Sequence, residues 1–261
     1  VLFKRALGFA STNIINRRSL REAVKRALRN AKASSRAVSK GVSMGEGELG
    51  KDKVEVKPRI KFEHIDIDSR LELLREADGR AAEASKEVGA NLPARILTLD
   101  TLTTEKTIIT SDGANVSSII PRVALSAFIT AVHPQKGAAQ RFFNFGEAAG
   151  WEAVERWDLP KLFKEEAYAL AKVLMKAEKA PKGVMDVVLG PEVVGLVSHE
   201  SSGHPGEADR ILGREAAQAG ETYLKSDSIG LQVGSSLVNV VDDPTLDGSF
   251  GFYLYDDEGH A

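Results

Sequence analysis

Two histidines and a glutamate lie within a single short segment, His199-Glu-Ser-Ser-Gly-His204. Imidazole is the usual nitrogen ligand of zinc and similar divalent ions, and a glutamate beside such ligands can accept a proton from water. These residue types predict a hydrolytic metal site in which His199 and His204 bind a divalent ion, with zinc as the first expectation. Glu200 is the expected catalytic residue, which activates water together with the ion.

The spacing of the two histidines differs from that of the common zinc-peptidase helix. Histidines at i and i+4 lie about 40° apart around a helix, whereas positions i and i+5 lie about 140° apart. Gly203 is a weak helix former and Pro205 disfavours helical backbone at His204, so we expect the helix to break or tighten there and to bring His204 back toward His199. The alternative is that the two histidines cap carbonyl groups or face solvent, and the spacing alone does not decide between the two.

Two acidic residues, Glu207 and Asp209, follow directly after the His-Glu segment. Either could support a ligand by a hydrogen bond, serve as a carboxylate ligand, or contact a peptide amine. The alternative is a solvated turn in which Arg210 and Arg214 are their partners, and we favour this interpretation slightly for Asp209.

The remaining candidate residues are assigned to structure rather than chemistry. Trp151 and Trp157 are expected in the core or at a dimer contact, and the glycine-rich residues 41–50 lack the Lys-Ser/Thr ending of a phosphate loop. Three histidines have no neighbouring ligand-type residues and are expected on the surface or in the core: His64, His133 and His260.

The composition is that of a globular protein, with 261 residues of which 43% are hydrophobic and 28% charged. A net charge of −2 argues against nucleic acid as the primary ligand. The absence of cysteine excludes disulfides and thiolate ligands within these residues and agrees with a cytoplasmic location. No apolar run approaches membrane-spanning length, so we expect no membrane association. Both ends of the sequence look internal to a longer protein, since no initiator Met opens it and a turn-like segment closes it.

The elements that must position these residues indicate an α+β fold. Helical spacing predicts helices over residues 20–32, starting from a Ser19/Glu22 capping box, over 69–88 and over 160–179. Runs rich in β-branched and aromatic residues predict strands at 94–102, 106–111, 115–120, 123–132 and 140–145, which form an antiparallel meander with a hairpin turn at Asp112-Gly113. Gly190-Pro191 is expected to start the metal-site helix, with further strands at 185–189, 230–233, 237–242 and 250–255.

This pattern predicts four regions along the chain. Residues 1–35 are the end of an N-terminal α/β domain, and residues 36–58 are a linker or loop rich in Ser, Gly, Lys and Glu. Residues 59–180 form a middle α+β domain. Residues 181–261 start a C-terminal catalytic domain that contains the metal-site helix and leads into β structure, and that we expect to be truncated.

Several motifs stand in one order along the chain and carry a resemblance. They are Gly8-Phe-Ala-Ser-Thr-Asn13, Val187-Val-Leu-Gly-Pro191, the His-Glu segment, Glu207-Ala-Asp209, Gly213-Arg-Glu-Ala-Ala-Gln218, Val241-Asp-Asp243 and Asp256-Asp-Glu-Gly259. With these motifs the chain closely resembles the TldD branch, in an archaeal-like form, of the TldD/PmbA family. The resemblance extends over most of the chain.

The resemblance implies a metallopeptidase that hydrolyses short or unfolded peptides. It implies a dimer, formed either with a second copy or with a PmbA-type (TldE) partner that lacks the His-Glu motif. The family's metal ligands fall on His199 and His204, and its catalytic glutamate falls on Glu200. The resemblance also implies a third ligand, a cysteine from a C-terminal region that this chain does not contain.

The resemblance leaves a second function open, namely a non-catalytic TldE/PmbA-like partner or, as the family's older label implies, a regulatory protein that modulates DNA gyrase. The His-Glu motif separates the two, because the PmbA-type partner lacks it and this chain retains it.

Overall fold

The computed structural model describes residues 1–38, 41–45, 47–215 and 220–261. The chain divides into two compact units, which are Val1–Gly50 with His260–Ala261, and Lys51–Gly259. Among the described residues, none of the helices is long and apolar enough to cross a membrane.

The first unit contains a short hairpin and one helix. Strands β1 (Leu2–Phe3) and β2 (Ala6–Leu7) pair antiparallel, and helix α1 covers Arg17–Ser34. The predicted helix is confirmed, but its capping box is wrong: the N-cap is Asn16, whose side chain accepts the N–H of Ser19 at 2.9 Å. Asparagine in extended backbone satisfies the first helical donors as well as serine does, so the helix starts a turn earlier than predicted.

A close approach between loop and helix requires glycine at position 8. A Cβ at Gly8 would lie 2.0 Å from the carbonyl oxygen of Ala27, on the buried face of α1. The N-terminal motif of the resemblance therefore packs directly on this helix. In the same unit His260 pairs by its backbone with Leu49, and its ring lies against Gly45 and Gly47.

The second unit is built on a four-stranded sheet around one long central strand. Its strands are β3 (Lys51–Glu55), β4 (Asn91–Ile109), β5 (Asn115–His133) and β6 (Gly137–Glu147). β4 pairs antiparallel along the whole length of β5, while the other edge of β5 pairs first with β3 in parallel and then with β6 in antiparallel. The antiparallel meander and its turn are confirmed, and Gly113 has the positive φ, 122°, that favours glycine.

The five predicted meander strands are in fact three long ones, which corrects the predicted breaks. The predicted break at residues 121–122 contains Pro121, which lacks an N–H for a ladder. Pro121 pairs with Thr103 on one side. On its other side, β3 ends where Glu55 pairs with Ile119, and β6 ends where Glu147 pairs with Val123, so Pro121 lies between the two. Its missing donor therefore falls in a gap of the ladder, and the strand continues through it.

Strand β3 lies inside the segment 36–58 that we expected to be linker or loop. Its partner is the start of β5, some sixty residues later, so the pairing is not visible in local composition. Residues 39, 40 and 46 of that segment lie outside the described residues. The predicted domain boundaries stay predictions.

Two helices cover one face of the sheet. Helix α2 (Ile67–Glu87) and helix α4 (Leu159–Lys176) pack on each other and on the strands, and short helix α3 (Glu152–Trp157) precedes α4. Alternate residues of β5 are buried beneath them, as the period of two in a half-covered sheet requires. The main side chains of this core are Val123, Leu125, Ile129, Phe143, Trp151, Val154, Leu159 and Phe163. Trp151 is thus a core residue, and Trp157 packs against the same core.

The carboxylate of Glu152 fastens the segment before α2 to the start of α3. It accepts the backbone N–H groups of Arg59 at 3.1 Å, Ile60 at 2.9 Å and Gly150 at 3.1 Å. Burial disfavours the charged form, but these donors outweigh it and hold the pKa of Glu152 below its usual value. The residue is 9% exposed, so this is a buried, charged anchor of the core.

The strands predicted after residue 181 are not formed. Residues 185–189, 230–233, 237–242 and 250–255 have no strand assignment, and many of their apolar side chains, such as Leu237 and Val241, are exposed. A β-strand needs a neighbouring strand for its backbone hydrogen bonds. β-Branched and aromatic residues favour strands mainly because their side chains pack well on a half-buried sheet surface. Instead of pairing with a strand, the backbone carbonyls of Phe250 and Phe252 accept hydrogen bonds from the Arg122 guanidinium, at 2.8 Å and 2.9 Å. The overall α+β class is nevertheless confirmed.

Candidate metal centre

The metal-site helix begins where the sequence predicts. Helix α5 covers Pro191–Ser198, with Gly190 as N-cap in extended backbone and Pro191 in the first turn. Proline suits this position because its fixed φ is helical and its missing N–H would be unpaired there in any case. At the other end the Ser198 hydroxyl donates to the carbonyl of Val194 at 2.9 Å, a bond that often bends helices.

The helix widens into a π turn at the predicted site, instead of breaking or tightening. Residues His199–Gly203 form the π turn, in which the N–H of His204 donates to the carbonyl of His199. A bond from i+5 to i places these two residues one turn apart, which brings histidines at this spacing onto the same side. The two rings lie 4.3 Å apart between centroids, at 74° to each other. The prediction that local distortion brings them together is confirmed, although the kind of distortion differs.

Pro205 gives the physical reason for the wider turn. In a regular α-helix its ring would clash with the carbonyl of Ser201, four residues earlier, and no N–H would be available for that carbonyl. Widening the turn relieves the clash without leaving helical backbone: His204 has φ −55° and ψ −44°. The expectation that Pro205 would move His204 out of helical conformation is therefore wrong. Helices α6 (His204–Gly206) and α7 (Ala208–Ile211) follow directly.

The π turn gathers three groups that can hold an ion. One ligand atom each from His199, Glu200 and His204 lies within 4.8 Å of the others, and the group is exposed at His199 and Glu200 and half-buried at His204. Two imidazoles and a carboxylate are a donor set that zinc accepts, at about 2.0–2.2 Å per bond. Rotation of the exposed side chains can close the remaining distance, so the residues present fit a divalent ion.

Glu207 fixes the orientation of one imidazole. Its Oε1 lies 2.7 Å from His204 Nδ1, and its other oxygen accepts from Arg210 Nε. The hydrogen bonds from His204 and then Arg210 hold the pKa of Glu207 below its usual value, so the carboxylate is an acceptor and Nδ1 donates to it. In a neutral ring with this hydrogen bond, Nε2 is the nitrogen that would bind an ion. This contact is the support predicted as one alternative for Glu207.

The other candidates of the sequence lie elsewhere. Asp209 accepts the backbone N–H of Arg210 with its side chain at 2.8 Å, and its carbonyl accepts that of Arg214 at 2.7 Å, as in the turn predicted for it. None of His64, His133 and His260 belongs to a metal-capable group among the described residues. Residues 216–218 of the predicted Gly-Arg-Glu motif lie outside the described residues.

A guanidinium on the sheet holds the first turn of α5, and the sequence alone did not point to it. Arg141 of β6 donates from Nη1 and Nη2 to the two carboxylate oxygens of Glu192, at 3.2 Å and 3.0 Å, and from Nε to Glu166 of α4 at 2.9 Å. A bidentate pair of this kind fixes direction as well as distance. The only local signal was Glu192 itself, an acidic residue in a first helical turn.

Two hydroxyl groups contact the π turn from a later segment and were also missed. Tyr223 donates to the carbonyl of Ser201 at 2.9 Å, and Thr222 donates to the carbonyl of Pro205 at 2.8 Å. The available signal was Pro205, which deprives the Ser201 carbonyl of its helical donor and so implies a donor from elsewhere.

The α+β scaffold thus presents a helical His-Glu-His group that could hold a metal ion, with a carboxylate behind one histidine. Models of the PmbA/TldA metallopeptidase family match it twice: the central domain at residues 60–180 and the C-terminal domain at residues 182–261. The chain belongs to this family, as the resemblance of its motifs indicates.

Individual relatives agree with this assignment. A metalloprotease of Methanocaldococcus jannaschii is 26% identical over 260 residues, which is 99% of this chain and 54% of that protein. A protein of Haemophilus influenzae named as a metalloprotease TldD homologue is 32% identical over 201 residues, 76% of this chain and 39% of that protein. A zinc metalloprotease TldD homologue of Saccharolobus solfataricus is 34% identical over 86 residues, 33% of this chain and 17% of that protein. The chain thus spans about half the length of the first of these relatives and a smaller share of the other two.

Proposed function

We propose that this chain supplies the His-Glu part of the active site of a metal-dependent peptidase. His199 and His204 hold a divalent ion, with zinc as the first candidate, and a third ligand comes from outside these residues. The observation that carries the proposal is the π turn. It brings His199 and His204 together, although their spacing would separate them in a regular α-helix. Metal-dependent relatives, one of them named as a zinc metalloprotease, support it.

The residues of the turn divide the work between binding and proton transfer. A bound divalent ion supplies the positive charge that polarises a peptide carbonyl and acidifies water. Glu207 keeps His204 in the tautomer and orientation that present Nε2. Glu200 is exposed beside both histidines, and its carboxylate accepts the proton of the attacking water and passes it to the nitrogen of the leaving amine. Short or unfolded peptides are the proposed substrates, as the resemblance of the motifs implies.

The proposed assembly is a dimer in the cytoplasm, with a second copy or with a PmbA/TldE-type subunit. Size measurement of the full-length protein alone, and after co-expression with such a subunit, distinguishes the two forms.

Substitution of Glu200 by glutamine tests the division of roles. The amide has the same shape and both imidazoles remain, so full-length Glu200→Gln should keep its metal content while peptide cleavage falls by about 10²-fold or more. The matched control is Glu165→Gln, the same change at an exposed position on α4. Loss of metal from the Glu200 variant would make Glu200 a ligand, and cleavage at the normal rate with metal bound would place the proton acceptor elsewhere, with Glu207 the first to examine.

A further inference from the structure

The π turn contains a carbonyl, that of Ser201, whose regular α-helical donor is missing. In a helix the N–H of residue 205 would donate to the carbonyl of Ser201, but Pro205 has no N–H. A helix carbonyl without its regular donor takes another partner, either a side chain or water. The hydroxyl of Tyr223 supplies this missing donor, at 2.9 Å from the Ser201 oxygen.

The residue before Tyr223 holds the other side of the same turn. Thr222 donates its hydroxyl to the carbonyl of Pro205 at 2.8 Å, and its oxygen also accepts the N–H of Leu224 at 3.2 Å. Thr222 is half-buried, so this bond is partly shielded from competing water. The two bonded carbonyls lie on either side of His204, three residues before it and one residue after it.

We propose that Thr222 and Tyr223 are positioning residues for the metal turn. Their two hydroxyls fix the carbonyls that flank His204 and so hold the turn in the wide form that brings His204 to His199. Both hydroxyls bond backbone carbonyls, so we expect them to act on the ligands through the backbone. This inference rests on the proposed function for its metal, but its structural half concerns the turn itself.

The substitution that tests the inference removes one oxygen atom. Tyr223→Phe in the full-length protein deletes the donor and keeps the ring, and the loss of one hydrogen bond should weaken zinc affinity by about fivefold. Thr222→Val deletes the other donor at constant shape and should have an effect of the same size. The matched control is Tyr168→Phe, the same change at a 41% exposed tyrosine of α4, and its zinc affinity should equal that of the wild type.

A second readout needs no metal. In the metal-free protein, hydrogen exchange of the peptide that covers residues 199–207 should be faster in Tyr223→Phe than in Tyr168→Phe, while exchange in the central sheet stays the same. A role in general stability would instead raise exchange in both regions and lower the melting temperature.

The two readouts separate this inference from the proposed function. If wild-type protein binds no zinc beyond the level of a His199→Ala/His204→Ala variant, the proposed function fails, and the exchange experiment still decides on the turn. If wild-type protein binds zinc and the Tyr223→Phe and Tyr168→Phe variants match in both affinity and exchange, Tyr223 has no positioning role and the inference is overturned.

Discussion

The hydrogen bond between Glu207 and His204 provides a quantitative test of the site. Glu207→Gln keeps the shape of the side chain but removes the charge that fixes Nδ1 as a donor, at a contact of 2.7 Å. Loss of such a partner behind a ligating histidine weakens metal affinity by about 10- to 100-fold. The two side chains are 34% and 38% exposed, so solvent screens the pair and the lower end of the range applies. We therefore expect the dissociation constant for zinc to rise about tenfold.

The assay is zinc titration of the full-length protein against a competing chelator at fixed ionic strength. Asp209→Asn is the matched control, because it makes the same chemical change two residues away, where the carboxylate accepts a backbone N–H and no imidazole. Its zinc affinity should stay within about twofold of the wild type, because the Asp209 carboxylate bonds the backbone and not a ligating histidine. Equal affinities of the Glu207→Gln variant and the wild type would refute the reasoning that Glu207 orients a ligand.

Two further predictions concern the core and the π turn. Glu152→Gln turns an amide NH₂ toward backbone donors and should lower the free energy of unfolding by about 2–4 kcal/mol, as measured by denaturant unfolding. The control Glu155→Gln, at an exposed position, should lower it by about 0.5 kcal/mol or less. The pKa of Glu152 is lowered in the folded state, so its contribution to the free energy of unfolding is complete above the pKa of an unfolded glutamate and is lost as pH falls through the folded pKa. The difference in unfolding free energy between wild type and Glu152→Gln should therefore shrink in acid, and a difference that stays constant with pH would contradict this. Pro205→Ala removes the ring that excludes regular α winding, so zinc affinity should fall by about tenfold or more while the melting temperature does not fall. Unchanged zinc affinity would show that Pro205 does not maintain the π turn.

The sequence predicted those elements whose signals are local. The period of 3.6 residues identified α1, α2 and most of α4, and Gly190-Pro191 identified the start of α5. The turn at Asp112-Gly113 followed from residue types that favour positive φ. These features depend on neighbours within a few residues, so one sequence contains enough information for them.

Features that depend on distant partners were missed or placed wrongly. The break predicted at residues 121–122 does not exist, because the gap between β3 and β6 that accommodates Pro121 is set by the sheet as a whole. The apolar runs after residue 230 suggested strands that have no strand neighbour among the described residues.

In the site, the residue types and the need for a distortion were evident from His199, Gly203 and Pro205, but the widening of the turn was not. A break, a tighter turn and a wider turn each remove the clash between the Pro205 ring and the preceding helical turn. Which of the three forms depends on hydrogen-bond donors such as Tyr223, which lies far along the chain.

Metal content of the full-length protein tests the central claim most directly. Wild-type protein, a His199→Ala/His204→Ala variant and a His64→Ala/His133→Ala control should be dialysed against zinc and analysed for bound metal by mass spectrometry. The account predicts about one zinc ion per chain in the wild type and in the control, and loss of that ion when the two histidines of the π turn are removed. Equal metal content in all three proteins would contradict the assignment of the site.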